Sequence, residues 1–158
     1  MKIFFSIVSK IASFTLIVLV GVIIFDIANR YFLSNGSIAL QEIEWHLFDL
    51  IMLLSISLTL REDGHVRVDI LYSNFSEKRK NFIDIFSHIF FIIPFSVLII
   101  WSSISFVEMS FLQNEVSSNP RGLNYRFLVK SLIIIGFFLL ILQSISSIFS
   151  ILKSKNRD

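Results

Sequence analysis

The chain is dominated by apolar runs too long to be the core elements of a soluble domain. The 23 residues between Asp84 and Glu108, and the 22 between Lys130 and Lys153, contain no Asp, Glu, Lys or Arg. A helix rising 1.5 Å per residue needs about 20 such residues to cross ~30 Å of hydrocarbon. Both stretches therefore read as membrane-spanning helices, over about residues 82–110 and 129–152. A third run, Ile11 to Phe25, continues through Asp26 to Leu33 as a full span that carries Asp26, Asn29 and Arg30 in its final turns. The remaining one, over about residues 42–60, is apolar only from Leu50 to Leu60 and opens with Glu44, Trp45, His46 and Asp49. The expected fold is all-α: a single domain over residues 1–158 with four transmembrane helices, at about 11–33, 42–60, 82–110 and 129–152.

Composition agrees with this reading. Hydrophobic residues make up 54% of the chain and charged ones 16%, against roughly a quarter charged in a soluble domain, which leaves too little polar surface to cover a water-soluble body. There is no cysteine, so disulfides, Cys-type zinc sites, iron–sulfur clusters and thiol chemistry are excluded. The net charge of +2 arises from 14 basic against 12 acidic residues, not from a basic face for nucleic acid. Lys2 and Lys10 precede the first apolar run as they would in a secretory signal, but no small-x-small cleavage site follows, and an uncleaved first helix is expected.

Basic residues set the expected orientation. With both termini in the cytoplasm, ten of the 14 Lys and Arg lie inside, and Arg30, Arg121, Arg126 and Lys130 lie at the outer side. Trp45 then falls near the outer interface as an anchor. The inner connection, Arg61 to Asn81, mixes Val66, Val68, Ile70, Leu71, Tyr72 and Phe75 with charges, a pattern expected to lie along the membrane surface as an amphipathic segment, either a short helix or a strand. Ser76 and Glu77 suit the N-cap and first turn of the third helix. In the outer loop, Asn119-Pro120-Arg121-Gly122 reads as a type I turn.

An ionisable group at membrane depth has to snorkel, pair or face protein. Asp26 and Arg30 stand four apart with the acid first, the favoured order for an intrahelical pair. Three readings apply to them: a self-neutralised pair, a polar face docked on a neighbouring helix, or part of a proton relay. Glu42, His46 and Asp49 share one helix face at offsets of four and three. That spacing can hold a metal only with further ligands at the same level, and Asp26 is the one obvious extra carboxylate, so partner contact or a solvated rim is the better reading. His46, His65 and His88 fall at different depths and do not form a haem pair. No nucleophile–base pair, phosphate-cradling loop or pair of catalytic carboxylates is recognisable, and neither catalysis nor a cofactor is expected. The densest polar run is Arg61-Glu62-Asp63-Gly64-His65-Val66-Arg67-Val68-Asp69, with six ionisable residues in nine. It reads as a helix exit that is either a juxtamembrane stop signal or a specific protein or headgroup contact.

With those residues in view, the sequence resembles the small membrane subunit of tripartite ATP-independent periplasmic (TRAP) transporters. The resemblance is carried by Asn29-Arg30-Tyr31-Phe32, by Gln41-Glu42-Ile43-Glu44-Trp45-His46-Leu47, by Leu60-Arg61 through Asp69, and by Glu115-Val116-Ser117 with Gly122-Leu123 and Lys130. The Arg61–Asp69 run is the most specific of these. The resemblance implies a non-catalytic four-helix subunit of the inner membrane that pairs with a large membrane subunit. The large subunit carries sodium and substrate in an elevator-type cycle, while a soluble periplasmic binding protein delivers an organic acid. It implies large-subunit contacts for Asp26, Asn29, Arg30 and Glu42, and an inner-loop motif of Arg61, Gly64, His65, Arg67 and Asp69. The outer position of Arg121 and Arg126 offers them to the binding protein. Membrane lipids are the remaining partner. The Leu40–Leu47 stretch and the Gly122-Leu123 loop look more like branches associated with 2-oxo acids, lactate or polyols than like the sialate branch. The competing readings are a self-sufficient four-helix proton-coupled exporter resting on Asp26, and a haem or quinone anchor resting on the histidines.

Overall fold

The computed structural model of the chain describes residues 2–62 and 75–155. Within them lie four helices: α1 (Lys2–Leu33), α2 (Ile38–Arg61), α3 (Glu77–Leu112) and α4 (Arg126–Lys155). All four are long and apolar enough to cross a membrane, and the described residues contain no strand. Each helix outruns the apolar core that marks it in the sequence. α1 in particular begins at Lys2 rather than near Ile11, because helical hydrogen bonding continues past the point where hydrophobicity stops.

The helices stand in a row. α1 packs on α2, α2 on α4, and α4 on α3. The order α1–α2–α4–α3 leaves α1 and α3 at the two ends, each with one principal neighbour. Heptad spacing fixes these seams. On α1 the buried side chains are Phe5, Val8, Ala12, Thr15, Leu19 and Asp26, all within one stripe. On α3, Ser96, Ser103 and Ser110 are buried at intervals of seven. Small side chains let helix backbones approach, which drives association where lipid offers no hydrophobic gain. Gly136 does the same between α2 and α4. A Cβ at that position would lie 2.9 Å from the Leu53 Cβ and 3.1 Å from the Leu53 carbonyl oxygen. Val8, Ala12, Leu54 and Leu139 form the core where α1, α2 and α4 meet.

Three of the buried hydroxyls bond their own helix backbone: Thr15 donates to Ile11 (2.9 Å), Ser57 to Leu54 (2.9 Å) and Ser96 to Ile92 (2.7 Å). α3 contains one wide π-turn at His88–Ile92. Its cause is Pro94, whose ring lacks an N–H and crowds the carbonyl four residues back. Ser76 does sit at the N-cap of α3, but its side chain makes no capping bond, and its carbonyl accepts from Arg79 and Lys80 instead. The surface-lying segment expected between α2 and α3 falls mostly outside the described residues.

Candidate functional site

Polar chemistry concentrates where the 113–125 loop meets the start of α2. Ser37 caps α2, accepting from the Leu40 N–H at 3.4 Å. One turn further along, Glu42 is 7% exposed. Its carboxylate accepts from the Leu123 N–H at 2.6 Å, from the Asn119 amide at 3.3 Å and from the Ser117 hydroxyl. The loop is folded to meet it. α3 ends in a Schellman motif: Asn114 takes φ 47°, the Glu115 N–H reaches the Ser110 carbonyl and the Asn114 N–H reaches that of Phe111. Ser117 and Leu123 then close on each other, the Ser117 N–H donating to the Leu123 carbonyl at 3.0 Å.

The turn between them differs from the type I expectation. Gly122 N–H donates to the Asn119 carbonyl at 3.0 Å, and Arg121 has φ 68°. Positive φ at the third position with Pro at the second is the type II pattern. Gly122 itself does not occupy positive φ, and what it supplies is space. A Cβ there would lie 2.4 Å from the Ser117 Cβ and 2.8 Å from a Glu42 carboxylate oxygen. The glycine is therefore what lets the loop backbone close over Glu42.

A second acid anchors the same loop. Glu115 pairs with Lys130 of α4, and its carbonyl accepts from the Arg126 N–H at 3.2 Å. The Lys130 ammonium, above all, holds the Glu115 carboxyl below its ordinary range, against an opposing effect of burial. The same ammonium lies 3.9 Å from the centre of the Phe106 ring, a cation–π contact. Between α2 and α4 an open cleft of about 370 Å³ is lined by Glu42, Trp45, His46, Asp49, Asn119, Arg126, Val129 and Lys130. The face shared by Glu42, His46 and Asp49 is thus one wall of this cleft. Among the described residues no group of three His, Asp or Glu side chains is placed to hold a metal ion.

Asp26 and Arg30 form their intrahelical pair on α1. Asp26 is 2% exposed while the Arg30 side chain is 54% exposed, so the guanidinium, not the carboxylate, meets the surroundings. One Asp26 oxygen, Oδ1, is buried without a hydrogen-bond partner. Asn29 donates to the Asn35 carbonyl at 3.0 Å and ties the end of α1 to the short loop before α2. Arg121 is exposed on the long loop, and Arg126 is half-buried in the cleft wall. Arg61 is exposed at the end of α2. Gly64, His65, Arg67 and Asp69 lie outside the described residues. His46 lines the cleft, whereas His88 is buried in the π-turn with Nδ1 3.2 Å from the Ser144 hydroxyl. The sequence reading did not anticipate Ser117, Asn119 and Leu123 as partners of Glu42, separated from it by 75 to 81 residues. The only local signal is an acid near the start of an apolar helix with no Lys or Arg one turn away.

No curated protein matches the chain. A family model described as "Tripartite ATP-independent periplasmic transporters, DctQ component" matches residues 19–154, a span that includes α2, the cleft and the whole 113–125 loop.

Proposed function

Since this chain belongs to the DctQ component family of tripartite ATP-independent periplasmic transporters, and is therefore a multi-pass small membrane subunit of the inner membrane, we propose that it acts as the static scaffold of a sodium-coupled importer of an organic acid. In this reading it performs no catalysis and binds no cofactor. It braces a large membrane subunit that moves substrate, and its outer loop faces a periplasmic binding protein. The observation that carries the scaffold role is the open row α1–α2–α4–α3, in which α1 and α3 each have one principal helix neighbour and broad apolar faces remain for a larger protein. The burial pattern refines the docking set: Arg30 presents charge outward with Asp26 behind it, and Asn29 fixes the helix end. Glu42 serves the partner indirectly, by shaping the loop that displays Arg121. With the 113–125 loop outside, both termini are cytoplasmic, which keeps most of the basic residues inside.

The test is a mild-detergent pull-down of the tagged chain from its native membranes, with every co-purifying protein identified by mass spectrometry. A large polytopic permease in near-stoichiometric amount is the expected result. Recovery of this chain alone as a stable homo-oligomer would overturn the scaffold reading. Substrate uptake by liposomes containing only this chain would do the same.

A further inference from the structure

Among the described residues, the cleft between α2 and α4 contains one acid without a partner. Glu42 is satisfied by Ser117, Asn119 and Leu123, and Glu115 by Lys130. Asp49 is half-buried, lines the cleft beside His46 one turn away, and makes no hydrogen bond or ion pair with any described residue. Neither base on the opposite wall pairs with Asp49. Lys130 is paired with Glu115 and lies over the Phe106 ring, and Arg126, although it lines the same cleft, makes no ion pair with any described residue, Asp49 included. Counting Glu42, Glu115 and Asp49 against Arg126 and Lys130 leaves one negative charge in excess, and Asp49 is the one acid of the three without a bonded partner among the described residues.

Depth makes this charge significant. Asp49 stands eleven residues into α2, about 16 Å along its axis from the first residue, at the edge of the apolar stretch Leu50–Leu60. An acid at such a level is retained where it pairs or faces a polar cavity. We propose that Asp49 is a socket for a basic side chain, Arg or Lys, supplied by a helix of the large membrane subunit, with His46 and Val129 lining its seat. The proposal rests on the scaffold reading and names where on this chain the partner inserts. Charge complementarity selects the occupant. A bare metal ion would find a single uncommitted carboxylate, fewer oxygen ligands than a hard cation requires. A guanidinium or ammonium on a long, flexible stem can reach the acid laterally from a neighbouring helix, and it needs only one carboxylate to pair with.

The full chain, tagged and co-expressed with the large membrane subunit of the same transporter, gives the test. The ratio of large to small subunit after mild-detergent purification is measured for the wild type, Asp49→Asn and Asp49→Glu. Asparagine keeps the size of the side chain and removes its charge. The expected result is at least a tenfold lower ratio for Asp49→Asn and substantial recovery for Asp49→Glu, with both variants retaining the thermal midpoint of the wild-type chain purified alone. A photoactivatable benzophenone side chain in place of His46 supplies the independent arm, and is expected to cross-link to a large-subunit peptide containing Arg or Lys. A wild-type ratio for Asp49→Asn, or cross-links to lipid alone, would overturn the socket while leaving the scaffold role intact. Failure of the wild-type chain to retain any large subunit would overturn both.

Discussion

Two of the acids within the apolar helices are almost fully buried, Glu42 and Asp26, and the chain treats them in opposite ways. Glu42 is enclosed by a loop from far along the sequence and receives three donors. Asp26 receives one partner from its own helix, and its second oxygen is buried without any. Burying a carboxylate is costly unless its lone pairs are met. At Glu42 that requirement organises tertiary structure, since the loop between α3 and α4 takes its shape from meeting it. At Asp26 the requirement is met locally and in part, and the result is a guanidinium held outward at the surface of α1. The first acid builds the fold and the second prepares a contact.

The comparison predicts a hierarchy of effects. Glu42→Ala removes three bonds at once and leaves the Leu123 N–H and the Ser117 hydroxyl without their acceptor. The thermal midpoint in detergent should fall by roughly 8 °C, and the loop should become accessible to protease. A midpoint within a degree of the wild type would show that the loop holds without the acid. Gly122→Ala attacks the same closure from the other side. Its Cβ would overlap Ser117 and crowd Glu42, at a cost of about 2 kcal/mol, or roughly 5 °C. Because the obstacle is steric and not conformational, Gly122→Ser should be at least as harmful.

On α1 the expected effects are smaller and asymmetric. Arg30→Ala strands the buried Asp26 carboxylate and should cost about 1 kcal/mol, roughly 3 °C. Asp26→Asn leaves a guanidinium that is already half in contact with the surroundings, and should cost less. Assembly should reverse that order of importance relative to Glu42: yield of the complex should drop more per degree of lost stability for Arg30→Ala than for Glu42→Ala. Equal ratios for the two variants would erase the distinction between an acid that builds the fold and one that prepares a contact.

How much of this was legible in the sequence follows from the range of each interaction. The four spans were readable because hydrophobic length is a local property, and the Asp26–Arg30 pair because four residues make one helical turn. The π-turn also has a local cause in Pro94, although the continuous apolar run concealed it. The row order of the helices was not legible, since Ser96, Ser103 and Ser110 look like ordinary polar interruptions until α4 is placed against them. The Glu42 network was hidden for the same reason: nothing near residue 42 announces donors at 117, 119 and 123. Gly122 was noticed, but as a turn residue, whereas its function is to leave room.

The smallest predicted effect concerns the acid that ties the loop to α4. Glu115 is more exposed than Glu42 and relies chiefly on one ammonium, that of Lys130. Pairing lowers its carboxyl affinity for protons in the folded protein below the ordinary value of 4.5. The folded state therefore binds fewer protons than the unfolded one in this range, and the stabilisation is fully present above pH 4.5. It is lost as the pH falls below that value through the depressed folded one. Glu115→Gln should flatten the acid limb of the thermal midpoint below about pH 4.5 and change the midpoint at pH 7 by less than about 2 °C, since partly exposed ion pairs contribute little. Lys130→Met should flatten the same limb while also removing the contact with Phe106. An acid limb unchanged in both variants would place the Glu115–Lys130 pair with the contacts that merely decorate the loop.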